Sequence, residues 1–402
     1  MSTSSLSHDE VARYSRQLIM PEIGVTGQKR LKETSVLIVG CGGLGCPASL
    51  YLTAAGIGKI GLVDADKVEI SNLHRQVLHT EDRVGIEKTA SAVQALKPIN
   101  HNVDLKPHTV KLTRENALEI VSDYDIVVDA TDNVVARYLI NDACVLSGKP
   151  LVSGSALRFD GQLTVYHYNE ASPCYRCLFP TPPPVGTVVN CSDGGVIGVV
   201  PGIIGTLQAL ETIKIAAGLE PAYAGQMLLF DGLSGQFRHI KIRKKNPNCA
   251  VCGPNATIGK ELIDYHEFCG TPVCQTDWKI LLPFERVTVN EYKDKVLDGR
   301  KEHILIDVRP KVEQEIVKLP HSETIPFSEL TGKQGVSKVS NLLTKTGIRN
   351  VFVMCRKGNA SQKAVRFLKD HLTLEGEELE IKDLIGGLDE WKDRIDPSIP
   401  SY

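Results

Sequence analysis

The 402-residue sequence lacks three features that would direct a protein to a membrane or to nucleic acid. Its net charge is only -2, which provides no general attraction to nucleic acid or to an anionic membrane surface. Its longest apolar stretch, 196–207, is too short to span a bilayer and contains Pro201. The opening residues, MSTSSLSHDE, lack the apolar region of a secretory signal. We therefore expect a cytosolic protein that binds neither membranes nor nucleic acid directly.

Cysteine is present in an arrangement that indicates metal binding. In a reducing compartment the eleven cysteines are expected to be metal ligands or reactive thiols and not disulfides. Four of them form two C-x-x-C pairs, Cys174 with Cys177 and Cys249 with Cys252. Two such pairs are typical of a tetrahedral zinc site, whose four sulfur ligands leave no position open for catalysis. We predict one structural Zn²⁺ in each subunit; the alternative is that a pair has a redox role.

The central motif is a glycine-rich turn between two predicted strands. GCGGLG, at 40–45, follows the apolar run 36–39 and precedes a predicted helix ending at Ala55 and a second strand, Lys59–Val63. Glycines let the backbone approach a phosphate, and the helix start offers free N–H groups to the anion. Asp64 ends the second strand, where a carboxylate can accept hydrogen bonds from ribose hydroxyls. This pattern predicts an α/β Rossmann-like sheet domain, and taken alone it favours NAD or FAD as the ligand.

The residues after Asp64 favour ATP instead. SNLHRQ, at 71–76, places an amide and a guanidinium just beyond the ribose position, and Lys88 and Asp132-Asn133 follow at the ends of later elements. Two cations and a further carboxylate suit a triphosphate with Mg²⁺ and are not needed for hydride transfer. For Asp132 the alternative is a helix N-cap, because a helix is predicted over 133–147.

These motifs resemble those of the MoeB/ThiF-type adenylyltransferases, which are relatives of the ubiquitin-activating enzymes. The resemblance runs from about residue 7 to residue 252 and implies an ATP-binding domain over 1–252. The residues that it implies for binding ATP with Mg²⁺ are Gly43, Asp64, Ser71, Asn72, Leu73, His74, Arg75, Lys88, Asp132 and Asn133.

The same resemblance gives two more residues a role. A capping box at 7–10 starts a helix predicted to reach Ile19, on which Arg13 and Arg16 share a face. They could be a simple surface pair, but the resemblance implies that Arg16 reaches the ATP phosphates of a partner subunit across a homodimer. Cys191 precedes an apolar helix predicted over 196–217, and its spacing fits either a nucleophile or a packing cysteine. The resemblance implies that Cys191 forms a transient acyl or disulfide link.

A second α/β pattern begins near residue 285. It contains a strand ending in Asp-Val-Arg (303–309), a strand running directly into Cys355, and a closing Gly-Gly-Leu and Trp at 386–391. These features resemble a rhodanese sulfurtransferase domain, expected over 285–402. Backbone N–H groups, the helix dipole and two adjacent cations would stabilise an anionic sulfur on Cys355, although a buried inert cysteine is the alternative. The segment 253–284 is expected to be a linker; its Cys269 and Cys274 receive no function.

Together the resemblances imply a bifunctional enzyme. ATP would adenylate the C-terminal glycine of a ubiquitin-like sulfur carrier ending in Gly-Gly, such as the molybdopterin synthase small subunit or the ubiquitin-related modifier. A persulfide on Cys355, loaded by a cysteine desulfurase or similar donor, would attack the adenylate. Cys191, or a second thiol, would then cleave the acyl disulfide and release a thiocarboxylate. The pathways implied are molybdenum-cofactor biosynthesis and 2-thiolation of the tRNA wobble uridine. The alternatives are an NAD- or FAD-dependent oxidoreductase and a non-catalytic module that docks ubiquitin-like proteins.

Overall fold

A computed structural model of the chain describes residues 6–184, 194–259, 261–270, 280–372 and 379–402. The chain divides into two compact units, Met1–Thr271 and Pro272–Tyr402.

The first unit is built on an eight-stranded sheet. Its strands are β1 (Ser35–Val39), β2 (Lys59–Val63), β3 (Asp104–His108), β4 (Ile126–Asp129), β5 (Leu151–Leu157), β6 (Asp160–Tyr166), β7 (Gln226–Asp231) and β8 (Gln236–Lys241). The order is β3-β2-β1-β4-β5-β6-β7-β8, parallel from β3 to β5 and antiparallel from β5 to β8. The parallel half confirms the predicted Rossmann-like sheet.

Helices cover both faces of this sheet. They are α1 (His8–Arg13), α2 (Ser15–Leu18), α3 (Gly24–Glu33), α4 (Gly45–Ala55), α5 (Lys88–Leu96), α6 (Ala117–Ser122), α7 (Val134–Leu146), α8 (Tyr175–Leu178), α9 (Val199–Ala217) and α10 (Tyr265–Cys269). Side chains alternate along β1, so Val36 and Ile38 join one core cluster while Leu37 and Val39 join the other. Burial on both faces explains why this strand is an uninterrupted apolar run.

Helix α9 is the one helix among the described residues that is long and apolar enough to cross a membrane by length and composition alone. In this unit its buried face packs against α4 and β5. The approach to α4 is close, since a Cβ on Gly205 would lie 2.2 Å from the carbonyl oxygen of Leu44. This packing is that of a core helix.

The N-terminal helix differs from the prediction. The capping box of Ser7 and Glu10 is present, but α1 ends at Arg13 and α2 begins at Ser15. Tyr14 interrupts the helix because its side chain is buried and its hydroxyl accepts a hydrogen bond from Asn100 at 2.8 Å. Arg13 and Arg16 therefore do not share the face of one continuous helix.

Part of the expected linker belongs to the first unit. Leu262, Tyr265 and Cys269 are buried in the same core cluster as β4 and α7. The Tyr265 hydroxyl donates to Asp142 at 2.8 Å, which anchors α10. Cys269 is thus a packing residue, and Cys274 lies outside the described residues.

The second unit contains a five-stranded, all-parallel sheet in the order β11-β10-β12-β13-β9. Its strands are β9 (Arg286–Val287), β10 (Ile304–Asp307), β11 (Ser322–Thr324), β12 (Asn350–Met354) and β13 (Glu380–Leu384). Its helices are α11 (Val289–Tyr292), α12 (Lys311–Ile316), α13 (Phe327–Leu330), α14 (Gly335–Thr346), α15 (Ala360–His371) and α16 (Gly387–Arg394). Cys355 follows β12 directly, so it lies at the carboxyl edge of a central strand, as predicted.

Candidate functional site

The glycine-rich turn joins β1 to α4 in a conformation that requires glycine. Gly40 has a φ of 103°, and a Cβ on it would lie 2.7 Å from the carbonyl oxygen of Ala130. A Cβ on Gly45 would lie 1.8 Å from the carbonyl oxygen of Gly40. The turn therefore packs closely on the end of β4. At the start of α4 the N–H groups of Cys46 and Ala48 already donate to the carbonyl oxygens of Gly42 (2.9 Å) and Leu44 (3.2 Å). An anion would therefore bind to N–H groups of the turn itself.

Asp64 is held at the edge of this turn. Its carboxylate accepts from the backbone N–H of Cys41 at 2.8 Å and from that of Asp66 at 2.9 Å. Sequence reasoning predicted an acceptor for ribose hydroxyls here, and a carboxylate with two such bonds keeps lone pairs for further donors.

Lys88 points into the same region from the start of α5. Its side chain is 8% exposed, and Nζ lies 2.9 Å from the carboxylate of Asp66, which is 73% exposed. Burial alone would lower the pKa of Lys88, but the carboxylates of Asp64 and Asp66 more than offset burial and raise it. The Lys88 ammonium therefore stays protonated beside the carboxylates of Asp64 and Asp66.

The segment 71–76 forms a compact turn next to these residues. Asn72 is buried, whereas Ser71 and His74 are exposed and Leu73 is half-buried. Nη1 of Arg75 donates to the carbonyl oxygen of Ser71 at 2.9 Å and lies 2.7 Å from Nε2 of His74. Burial and the Arg75 charge lower the pKa of His74, so Arg75 carries the positive charge of this turn.

Sequence reasoning missed a histidine beneath the glycine turn. His79 is buried, with Nε2 3.0 Å from the carbonyl oxygen of Cys41 and Nδ1 2.9 Å from the hydroxyl of Ser91. Burial lowers its pKa, so a neutral ring can donate from Nε2 and accept at Nδ1. No local pattern distinguishes this histidine, because its partners lie 38 and 12 residues away.

Asp132 lies exposed at the carboxyl end of β4. The helix N-cap is Asn133, whose side chain accepts from the N–H of Ala136 at 2.8 Å, so the alternative role for Asp132 is wrong. The carboxylate of Asp132 is not used to cap α7.

A cavity of about 540 Å³ begins at this carboxylate. Its walls come from the start of α7 and from β5 to β8, and they include Asp132, Asn133, Arg137, Asp160, Phe230 and Arg238. Nη2 of Arg137 lies 3.4 Å from the carbonyl oxygen of Thr131 and 3.3 Å from that of Gly154. Sequence reasoning did not single out Arg137; only its position one turn after Asp132 could have indicated it.

The remaining predicted residues are Gly43, Arg16 and Cys191, which lie in three different parts of the chain. Gly43 lies in the glycine turn, where an added Cβ would meet Pro201 of α9 at 3.1 Å. Arg16 is exposed on the short helix α2. Cys191 lies outside the described residues.

The four predicted zinc ligands form one cluster. Their sulfur atoms all lie within 4.8 Å of one another, with separations of 3.8 Å (Cys174–Cys177), 3.6 Å (Cys174–Cys249) and 3.4 Å (Cys177–Cys252). A tetrahedral site with Zn–S bonds of about 2.3 Å separates its sulfurs by roughly 3.8 Å. The donor set therefore fits a structural Zn²⁺.

A buried ion pair supports this cluster. Arg176, between two of the cysteines, has Nε 2.8 Å from the carboxylate of Asp142, and both side chains are almost fully buried. The guanidinium also lies 4.3 Å from the ring centroid of Phe268. The pair joins the first cysteine turn to α7 and to α10.

In the second unit, a closed loop surrounds Cys355. The carbonyl oxygens of Cys355 and Arg356 accept from the N–H groups of Leu388 (2.9 Å) and Asp389 (3.0 Å). A Cβ on Gly387 would lie 2.1 Å from the carbonyl oxygen of Cys355, which explains the glycine there. Cys355 itself is 4% exposed, and its thiol donates to Ser361 Oγ at 3.5 Å.

Comparison with known proteins gives two family matches. The ThiF family matches residues 14–251, and the rhodanese-like domain matches residues 288–394. The chain is 50% identical to "Adenylyltransferase and sulfurtransferase MOCS3" of Sus scrofa and 51% identical to the protein of that name from Danio rerio, in each case over 99% of this chain and 89% of the relative.

Solved structures resemble part of the chain. Escherichia coli MccB with ATP has a TM-score of 0.53 and 26% identity, covering 60% of this chain and 74% of MccB. Escherichia coli MccB with MccA-N7isoASN has a TM-score of 0.54 and 25% identity, with 60% and 74% coverage.

Proposed function

The chain belongs to the ThiF family and carries a rhodanese-like domain, and from this premise we propose that it adenylates and then sulfurates a ubiquitin-like carrier. It is an adenylyltransferase and sulfurtransferase, as its relatives with 50% identity are named. One observation carries the proposal. A cation-rich site beside a glycine turn, suited to ATP, occurs in the same chain as a cysteine at the end of a rhodanese-like strand.

In the first half-reaction, the carrier's terminal carboxylate attacks the α-phosphate of ATP and pyrophosphate leaves. A C-terminal carboxyl has a pKa of about 3.5, so it is already ionised and needs no general base. The barrier is then mainly charge repulsion, which positioned cations lower. Lys88 and Arg75 supply such cations, the N–H groups of the glycine turn face the phosphates, and Asp64 accepts from the ribose.

Asp132 is proposed to hold Mg²⁺ with the triphosphate. Its carboxylate is exposed at the carboxyl end of β4 and caps no helix. The ion would neutralise phosphate charge when bound. Asn133 keeps its capping bond, so a role in ATP binding would use its remaining side-chain donors.

The cavity next to Asp132 is proposed to receive the carrier's Gly-Gly tail. Glycines are narrow enough to thread between α7 and the antiparallel strands, and Arg137 on the cavity wall suits a terminal carboxylate. Edge strand β8 is exposed along its whole length and carries Phe237 and Ile240, which are 51% and 49% exposed. This exposed edge strand would bind the folded body of the carrier.

A homodimer is proposed for the first unit. Ile19 near Arg16 is 71% exposed, and Val199 and Leu210 on α9 are 67% and 50% exposed. Burying such surfaces against a second copy would be favourable. It would also let Arg16 of the partner subunit supply charge to the phosphates, as an arginine finger does.

In the second half-reaction, the terminal sulfur of a Cys355 persulfide attacks the acyl-adenylate and AMP leaves. Cys191 is proposed to cleave the resulting acyl disulfide. The carrier departs as a thiocarboxylate, and the disulfide that remains must be reduced by a thiol. We assign the sulfur supply to a cysteine desulfurase or similar donor, the products to molybdenum-cofactor biosynthesis and tRNA wobble-uridine thiolation, and the enzyme to the cytosol.

The test is to incubate the protein with a Gly-Gly-ending carrier, ATP and a sulfur donor, and to weigh the carrier. We expect one oxygen-to-sulfur exchange. Cys355→Ala should still release pyrophosphate but form no thiocarboxylate, which separates the two half-reactions. If Cys355→Ala forms thiocarboxylate at the wild-type rate, the proposed sulfur step is wrong.

A further inference from the structure

A chain of polar side chains extends from Cys355 into the interior of the second unit. The Cys355 thiol donates to Ser361 Oγ at 3.5 Å, and Ser361 Oγ lies 3.4 Å from Oδ2 of Asp383. Asp383 in turn accepts two hydrogen bonds from Arg286, at 2.8 and 3.0 Å. Ser361 and Asp383 are both fully buried, so water does not replace these contacts.

The distances show that the serine hydroxyl is not committed to the carboxylate. A hydroxyl–carboxylate hydrogen bond is normally about 2.5–2.7 Å long, and here the separation is 3.4 Å. Asp383 is satisfied by Arg286 whether or not it also accepts from Ser361. The hydroxyl proton can therefore turn to a better acceptor without leaving a buried group unpaired.

That acceptor is the sulfur of Cys355 in its anionic form. As a thiol, the sulfur donates to Ser361; as a thiolate or persulfide anion, it has no proton to donate and becomes a strong acceptor. The Arg356 side chain of the same loop contacts other groups: its guanidinium lies 4.6 Å from the ring centroid of Tyr402, and its Nε lies 3.8 Å from Asp389.

We propose that Ser361 is a positioning residue for sulfur transfer, whose hydroxyl turns from Asp383 to Cys355 when the sulfur becomes anionic. The Asp383–Arg286 pair, on the strands β13 and β9, provides the second acceptor within reach of this hydroxyl. The inference rests on the role of Cys355 proposed above. Other charged groups around the loop are Arg356, Lys357, Asp389, and the Asp307–Arg309 pair at the end of β10.

The test follows alkylation of Cys355 in the full-length protein across pH. Iodoacetamide labelling is read by mass spectrometry on the tryptic peptide 350–356, in which Cys355 is the one cysteine. A hydrogen bond to a charged group supports a shift of about one pH unit. We therefore expect Ser361→Ala to move the midpoint of alkylation upward by about one unit and to slow labelling near neutral pH about tenfold. Ser361→Thr, which keeps the hydroxyl, should restore the wild-type midpoint.

Ser322→Ala is the matched control, because Ser322 is also a buried serine of this unit but donates to the carbonyl oxygen of Leu319 at 2.9 Å. In this variant the pH midpoint of Cys355 alkylation should stay at the wild-type value. The inference is overturned if Ser361→Ala leaves the midpoint unchanged, or if Ser322→Ala or Ser361→Thr moves it equally. Should Ser361→Ala not fold, Ser361→Gly takes its place, since it also removes the hydroxyl donor. Because labelling requires neither carrier nor ATP, it can fail or succeed independently of the thiocarboxylate assay.

Discussion

Replacing Lys88 with methionine should separate activity from stability in the first unit. The Lys88 ammonium is buried, whereas its partner Asp66 is largely exposed. The methionine side chain fills similar space without the charge. Asp66 would then be hydrated by solvent, and the cost of burying the ammonium would disappear. We therefore expect the melting temperature of the variant to stay unchanged or to rise.

Activity should respond in the opposite direction. A cation about 4 Å from a phosphate charge, at an effective dielectric constant of about 20, contributes about 4 kcal/mol, or about a thousandfold in rate. The carboxylates of Asp64 and Asp66 offset part of this field. We expect kcat/KM for ATP to fall about 100-fold, which corresponds to about 2.7 kcal/mol.

The assay is carrier-dependent ATP–pyrophosphate exchange, with thermal unfolding measured on the same samples. Lys106→Met is the control, because Lys106 also forms an ion pair, with Asp104 at 3.1 Å, but both side chains are about half exposed (52% and 54%). If Lys88→Met loses no more activity than Lys106→Met, the buried ammonium does not act on the phosphates. If it unfolds instead, Lys88 is structural and the argument fails.

Three further predictions concern the cavity, the metal site and the second unit. Arg137→Ala should raise KM for the carrier about tenfold and leave KM for ATP unchanged in steady-state assays, since a charged hydrogen bond is lost; an equal rise in both would contradict the assigned position. Cys249→Ser should lower zinc content and melting temperature but leave sulfur loading of Cys355 intact, and retained zinc would contradict the four-cysteine site. Hydrogen bonds from Lys369 and from the Leu282 N–H lower the pKa of Glu285. The ionised Glu285 therefore stabilises the second unit at pH values above the ordinary glutamate pKa, and this stabilisation is lost as the pH falls through the lowered pKa. Hydrogen exchange should accordingly show Glu285→Gln destabilising the second unit at neutral pH and matching wild type in strong acid; a difference that persists there would refute the assignment.

Several features could be predicted because short stretches of sequence dictate them. The strand Lys59–Val63 has the predicted bounds, since its apolar run is buried on both faces. The paired cysteine turns and the position of Cys355 after β12 also follow from local spacing. Each depends on backbone sterics, side-chain periodicity or ligand spacing within a few residues.

The first helix and the expected linker differ from the prediction because of contacts between residues far apart in the chain. Tyr14 divides the first helix because it bonds to Asn100, which lies 86 residues away. The segment around Tyr265 packs on the first unit because it bonds to Asp142, 123 residues away. Local propensity favoured a longer helix in the first case and a linker in the second, and burial of distant partners overrode it.

Short stretches of the chain thus specify the type of chemistry: a glycine turn that admits phosphates, paired thiols that suit zinc, and a cysteine at a strand end. Long-range packing sets which other groups serve that chemistry. Arg137 lines the cavity beside Asp132, His79 supports the glycine turn, and Ser361 links Cys355 to Asp383. Turn and strand formation depend on neighbours along the chain, whereas the hydrogen bonds of buried polar groups depend on whichever side chains the packed sheets bring within reach.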